Sequence, residues 1–282
     1  MHGREHDRTL ISRYRIRMNM ATDTVSAGAR ARIPQRTLRK DRWWVAPAIT
    51  GVILLAFAIY ATWRAFMNKY YVAGQYISPL YSPCLAANCV EGSGELTLVG
   101  SWWKLSPALL ILPFPLVFRG TCYYYRKAYY RSFWLSPPGC AVAEPHSKYT
   151  GETRFPLILQ NVHRYFFWIL LLFNAILTID AVLAFRNPQG EWGHMGLGTL
   201  VLMTNAALLW LYSLSCHSCR HAVGGRLNHF SRHPIRYWMW TQVSKLNARH
   251  LVWAWASLFS VALADLYVFL VASGTISDPT FF

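Results

Sequence analysis

Five stretches of the chain are almost uninterrupted in apolar residues: 43–63, 102–118, 165–185, 196–214 and 251–273. Four of them reach or approach the ~20 residues that a helix needs to cross about 30 Å of hydrocarbon. The stretch 102–118 is shorter, carries Lys104 and contains Pro107, Pro113 and Pro115. Proline at depth is tolerated where neighbouring helices cover the freed carbonyls, so this stretch reads as a kinked span. Polar segments separate the runs: an arm over 1–42, loops over 119–164 and 215–250, and a tail over 274–282. The pattern predicts an all-α membrane protein, a five-transmembrane-helix bundle. The arm lacks the apolar core and cleavage pattern of a signal peptide. It reads as a disordered or membrane-surface segment, with an Arg-rich transit peptide as the alternative.

Composition agrees with the membrane reading. The 282 residues are 54% hydrophobic and only 14% charged, with a mean hydropathy of +0.20. Charge sets the orientation. Of 28 Lys and Arg, eleven lie in 1–42, seven in 119–164 and six in 216–250. Positive residues collect on the cytoplasmic side. The N-terminus and both long loops are therefore expected in the cytoplasm and the C-terminus outside. The net charge of +16 falls mostly on that one face. In a membrane protein it suits anionic lipid and a docked cytoplasmic partner, and nucleic acid is not expected.

The cysteines divide by side. Cys84 and Cys89, in PCLAANCVEG, fall in the outer loop, where an oxidising compartment favours a disulfide over two free thiols. Cys122, Cys140, Cys216 and Cys219 fall on the reducing side. Depth then groups them with histidines. Cys122 follows the second run by four residues, and His163 precedes the third by two. Cys216 follows the fourth by two, with Cys219 three further on, and His250 directly precedes the fifth. Four helix ends thus bring Cys or His to one level, and bundles hold cofactors between facing helices. If the helix continues through SCHSCRH, Cys216 and Cys219 share a face. His217 and His221 are reserve ligands, or interfacial residues bonded to the last carbonyls. His229 and His233, in GRLNHFSRHPIRYW, read as surface or partner contacts. Two Cys and two His suit structural zinc and equally a Rieske-type [2Fe–2S] centre. The residues alone leave both open.

Asp180 and Asp265 lie inside the third and fifth runs. An intramembrane carboxylate marks a functional site by default. The pair would share a proton or line a proton path. The alternative is helix-to-helix hydrogen bonding to Asn174, Asn205 or Tyr267. CYYYRKAYYRSFW (122–134) interleaves tyrosines with Arg126, Lys127 and Arg131, and reads as a helical interfacial extension. It is a docking surface or an aromatic belt. SPPGCAVAEPHSKYTGETRFP (136–156) reads as a structured loop.

CYYYRKAYYRSFW, PPGCAVAEPH, YTGETRFPLILQNVHRYFF, LSCHSCRHAVGGRLNHFSRHP and LNARHLVWAWASLFSVALADLYVFLVASG together resemble the membrane anchor subunit of actinobacterial succinate dehydrogenase. This is the haem-free, type F respiratory complex II. The resemblance covers roughly residues 100–282. It implies an anchor in the bacterial plasma membrane that holds an iron–sulfur subunit and a flavoprotein subunit on the cytoplasmic face. It further implies electron relay through a Rieske-type [2Fe–2S] cluster to menaquinone or ubiquinone, with no haem. Bound phospholipid and a trimer of complexes are further expectations. For the cluster, Cys122, Cys216 and Cys219 compete for two thiolate positions. His163 and His250 supply the imidazoles, with His217 and His221 in reserve, and Cys140 is left out. Tyr124, Arg126, Lys127, Arg131, Arg220, His229 and His233 are the expected docking residues. The rival readings are a di-haem b-type anchor, a scaffold with structural zinc, and a transporter built on the Asp pair.

Overall fold

The computed structural model describes residues 40–89, 95–100, 102–140, 142, 145–146, 153–187 and 189–282. Almost all of the basic arm and part of the 136–156 loop lie outside the described residues.

Helix α1, Val45–Met67, shows Ile49, Val52, Leu55, Ile59, Trp63 and Phe66 on its outside at three- and four-residue spacing. Its charged residue Arg64 is turned inward and fully buried. That is the inverse of a water-facing helix and the pattern that lipid demands. A hairpin follows at the far end, β1 (Val72–Ala73) against β2 (Tyr76–Ile77), turning at Gly74, whose φ is +58°. Residues 76–82 are then buried without interruption. Strand β3 (Cys84–Ala86) pairs in parallel with β4 (Glu95–Val99). Cys84 and Cys89 form the expected disulfide, Cα–Cα 6.0 Å.

Two short helices come next, α2 (Ala108–Ile111) and α3 (Pro113–Gly120). Pro107 caps the first and Pro113 opens the second, positions where the missing N–H costs nothing. Together Ala108–Gly120 extend roughly 20 Å at 1.5 Å per residue. In place of the predicted span 102–118 there is thus a shorter helix, because residues 102–106 are not helical. Cys122 is extended (φ −66°, ψ 132°) and breaks the chain into α4, Tyr123–Trp134. A 3₁₀ turn, Leu157–Val162, leads into α5, His163–Leu183. Then come α6 (Leu197–Leu214), α7 (His217–Gly224), α8 (Pro234–Asn247) and α9 (His250–Ala272). Among the described residues, four helices are long and apolar enough to cross a membrane: α1, α5 with its preceding turn, α6 and α9.

Helix α6 packs between α5 and α9. The seam is lined by Ala181, Ala206 and Ala264, whose small side chains let backbones approach. Two amides pin it. Asn174 donates to Leu209 O (3.2 Å) and Ser213 Oγ (2.8 Å), and Ser260 Oγ donates to Asn205 Oδ1 (2.9 Å). Such bonds contribute about 0.6 kcal/mol each in membrane bundles. At the disulfide end the tail folds back. Phe281 N–H donates to Met195 O (2.8 Å), and Met195 N–H to Phe282 O (2.9 Å). Asp278 caps α6 by accepting from Gly198 N–H (2.9 Å), and also accepts from Tyr76 Oη (2.6 Å).

Candidate functional site

At the basic end of the bundle, α3, α5, α6 and α9 bring four sequence-predicted donors together. His163 Nε2 lies 3.0 Å from Cys216 Sγ, and His250 Nε2 lies 3.5 Å from Cys122 Sγ. Cys122, Cys216 and His250 are each about 2% exposed or less. The depth argument therefore holds for these four. The expectation that Cys216 and Cys219 share one continuing helix does not. Helix α6 ends at Leu214, and Cys216 is extended (ψ 148°) and N-caps α7. Cys219 is buried in the same apolar cluster, while the sulfurs that hydrogen-bond the two histidines are those of Cys216 and Cys122. His217 and His221 are exposed on α7, beside a shallow notch with Arg220 and Trp240. Cys140 is exposed in the loop after α4.

Both cysteines sit at helix N-caps, where backbone N–H groups and the helix dipole favour a thiolate. Burial nonetheless dominates. It pushes the Cys216 thiol up to about 12 against the N–H groups of Ser218 and Cys219. It raises Cys122 likewise, against those of Tyr124 and Tyr125. A dry site of this kind keeps its thiols protonated until a cation takes the proton's place. The histidines are held from the other side. His163 Nδ1 is 3.0 Å from Phe118 O and 3.1 Å from Thr121 Oγ1. His250 Nδ1 is 2.6 Å from Ser215 Oγ. Phe118 stacks on the His163 ring at 4.4 Å and Tyr212 on the His250 ring at 5.2 Å. Among the described residues, no three Cys, His, Asp or Glu side chains converge as a single metal ion requires. The donors form two Cys–His couples instead.

A cavity of about 640 Å³ adjoins the site. Its walls are Leu54, Phe57, Leu116, Leu170 and Phe173, and the buried segment Pro79–Leu80 contributes to its lining. Polar groups from the basic half of the bundle, Arg119, Tyr125 and Tyr212, line it too. Arg119 donates to Tyr125 Oη (2.7 Å), Ser257 Oγ (3.1 Å) and Ala254 O (3.3 Å), all neutral, and lies over the Tyr212 ring. The Tyr212 hydroxyl is buried and lies toward the Cys122 thiol. Phe118 and Tyr212, which flank the two imidazoles, are also cavity walls. Among the described residues, no histidine lines the cavity.

The two intramembrane carboxylates have separate partners. Asp265 accepts from Arg64 Nε (2.7 Å) and Nη2 (3.0 Å), from Tyr60 Oη and from Ser78 Oγ. It is the anion of a fully buried ion pair that the sequence reading missed. Asp180 accepts from Ser82 Oγ. The partners offered in the alternative reading bond elsewhere: Asn174 to Leu209 and Ser213, Asn205 to Ser260, and Tyr267 to Asp278. Ser78 and Ser82 thus tie the buried segment 76–82 to α9 and α5.

The expected docking residues are unequal. Lys127, His229 and His233 are exposed. Arg126 covers the Tyr123 ring at 5.2 Å, and Arg220 covers Trp240 at 4.7 Å. The Nε atoms of Arg131 and Arg220 are buried. Tyr124 turns inward, 5.2 Å from the His250 ring.

A family model described as actinobacterial succinate dehydrogenase subunit SdhC matches residues 45–274. A chain of the Mycobacterium smegmatis Sdh1 complex in the apo form is similar in structure, with a TM-score of 0.81 and 57% sequence identity. The match covers 90% of this chain and 96% of that one. No curated protein sequence matches.

Proposed function

The chain belongs to the family of actinobacterial succinate dehydrogenase SdhC subunits, and we propose that it carries electrons from a docked iron–sulfur subunit, through a [2Fe–2S] centre held by Cys122, Cys216, His163 and His250, to a quinone in the adjoining cavity. As a subunit of complex II it is membrane-embedded and works within an oxidoreductase. The observation that carries the cluster reading is the donor set itself. Two buried thiols and two imidazoles meet at one end of the bundle, each imidazole Nε2 beside a sulfur. A structural zinc ion wants four donors about one centre. Two Cys and two His shared between two irons is the Rieske-type donor set. A pair of b haems would draw on histidines from facing helices, and here both such histidines face sulfur.

When bound, the cluster supplies one-electron transfer between the partner's centres and the quinone. The chain's residues do the rest. Phe118 and Tyr212 are walls both of the imidazoles and of the cavity, so a cluster held by those imidazoles and a quinone in the cavity would be separated by these two rings. The cavity is of a size for a small ligand, largely apolar with a few polar groups. Tyr212 Oη, between the Cys122 thiol and the cavity, can turn its proton to a quinone carbonyl. The neutral-bonded Arg119 guanidinium stabilises negative charge that develops on the reduced ring. Either menaquinone or ubiquinone fits this chemistry, and phospholipid fills the remaining apolar walls.

The iron–sulfur and flavoprotein subunits dock on the basic face, where Lys127, Arg126, His229 and His233 are presented. By the distribution of positive charge this face is cytoplasmic. Asp180, whose recorded hydrogen bond comes from a neutral hydroxyl, is the carboxylate suited to carry protons, and Asp265 is the structural one.

Low-temperature EPR of the reduced complex tests the reading. A signal of low average g, lost with quinone reduction in His163→Ala plus His250→Ala, is expected. Succinate oxidation with an artificial acceptor should survive in that variant. One equivalent of zinc with no such signal would transfer the site to the structural reading. Sharp reduced absorption bands would transfer it to haem.

A further inference from the structure

The site is built twice from one five-residue pattern. Phe118-Arg119-Gly120-Thr121-Cys122 closes α3, and Tyr212-Ser213-Leu214-Ser215-Cys216 closes α6. In each copy the aromatic residue stacks nearly parallel on a histidine, at 7° for Phe118 on His163 and 12° for Tyr212 on His250. In each copy the hydroxyl residue lies at that same histidine's Nδ1. In each copy the cysteine is extended and caps the next helix. The histidine held by one copy meets the cysteine of the other. Thr121 holds His163 against Cys216, and Ser215 holds His250 against Cys122.

The hydrogen-bond partners favour one tautomer in each ring. Tyr212 O, 2.9 Å from Ser215 Oγ, is an acceptor for the hydroxyl proton. With its proton turned there, Ser215 Oγ accepts from His250, which assigns the ring proton to Nδ1. Thr121 Oγ1 donates to Val117 O, at 2.7 Å, and Phe118 O is an acceptor by nature. His163 Nδ1 therefore carries its proton as well. In both rings the bare lone pair is on Nε2, and in both rings Nε2 is the atom aimed at sulfur. Outer contacts of this kind set the tautomer and orientation of ligand histidines.

We infer that Thr121 and Ser215 are matched positioning residues that hold His163 and His250 so that both ligate through Nε2, with Nδ1 sealed inside the protein. The inference rests on the cluster reading above and goes beyond it, because a Cys₂His₂ centre could equally be held through Nδ1. The two copies are not equal in strength. His163 Nδ1 keeps the Phe118 carbonyl if Thr121 is lost, whereas Ser215 is the partner recorded for His250 Nδ1.

The experiment uses the whole complex, grown with histidine labelled with ¹⁵N at one ring nitrogen and reduced for pulsed EPR. The Nε2 label should show the strong coupling of a directly bound nitrogen, and the Nδ1 label only weak coupling. Strong coupling from the Nδ1 label overturns the inference and leaves the cluster reading intact. Absence of any low-g signal overturns both. Variants give a second arm. Ser215→Ala should shift the cluster's g-values and potential more than Thr121→Val at equal iron content, and Ser215→Thr should restore the wild-type signal. A Ser215→Ala complex with full iron, wild-type spectrum and wild-type potential would also overturn it.

Discussion

Replacing Arg64 by Met should destabilise the assembled protein without touching its chemistry. Arg64 and Asp265 are both fully buried, and Arg64 gives Asp265 two of its four hydrogen bonds. Tyr60 and Ser78 supply the others from neutral hydroxyls. Removing the cation leaves a buried carboxylate facing neutral donors, a loss of about 3–5 kcal/mol. Spread over a chain of this size, that lowers the melting temperature by on the order of 10 °C. Asp265→Asn should cost a similar amount by stranding the guanidinium. The double replacement, Arg64→Met with Asp265→Leu, should recover most of the loss, because an apolar pair of similar volume is often neutral or better. Thermal unfolding of the purified complex reads the three variants side by side. Quinone turnover per assembled complex should stay near wild type in all of them. The reasoning fails if the single variants melt within about 2 °C of wild type, or if Asp265→Asn assembles with full stability and cannot reduce quinone. The latter result would move Asp265 back to the proton route.

Gly198→Ala should destabilise by about 1–3 kcal/mol through overpacking, since its Cβ would stand 2.6 Å from the Tyr76 ring. That ring is tethered by its bond to Asp278, and Tyr76→Leu in the same chain should relieve the strain; an unshifted melting temperature counts against the tight cap. Asp180→Asn keeps an acceptor for Ser82 but removes the titration, so quinone turnover should fall while subunits and cluster remain, and unchanged turnover removes Asp180 from the proton route. Arg126→Glu with Lys127→Glu should release the soluble subunits from membranes, more so in high salt because the surface charges are screened; full retention sinks this docking face.

The long apolar runs were sufficient to locate α1, α5, α6 and α9, because a lipid-crossing helix needs length and apolar content and little else. The depth of Cys122, His163, Cys216 and His250 was legible for the same reason: each stands at the end of a run, and run ends share a plane. What was not legible was the local break at each cysteine. A Cys two residues past an apolar run looks like a continuing helix, and on that premise Cys219 ranked with Cys216. The doubled aromatic-x-x-hydroxyl-Cys pattern is the signal that separates them, since Cys219 lacks it. The Arg64–Asp265 pair left no local trace either. Its partners are 201 residues apart, and a single Arg near the end of a span reads as an interfacial anchor. The stretch 102–118 was overextended at its start, where Trp102 and Trp103 supply apolar character without helical backbone.

The four donors occur along the chain in the order Cys122, His163, Cys216, His250, and their contacts are nested: the middle two meet each other, and the outer two meet around them. The inner couple is complete once α5 and α6 have been made, as a helical hairpin. The outer couple waits for the first residue of α9. A chain still on the ribosome therefore holds at most one Cys–His couple, half of the donor set, until the last long helix joins the bundle. During that interval Cys122 has no imidazole partner. Completion of the four-donor set and closure of the bundle are then one event in biogenesis, so a chain that stalls before α9 holds two of the four donors together and no more.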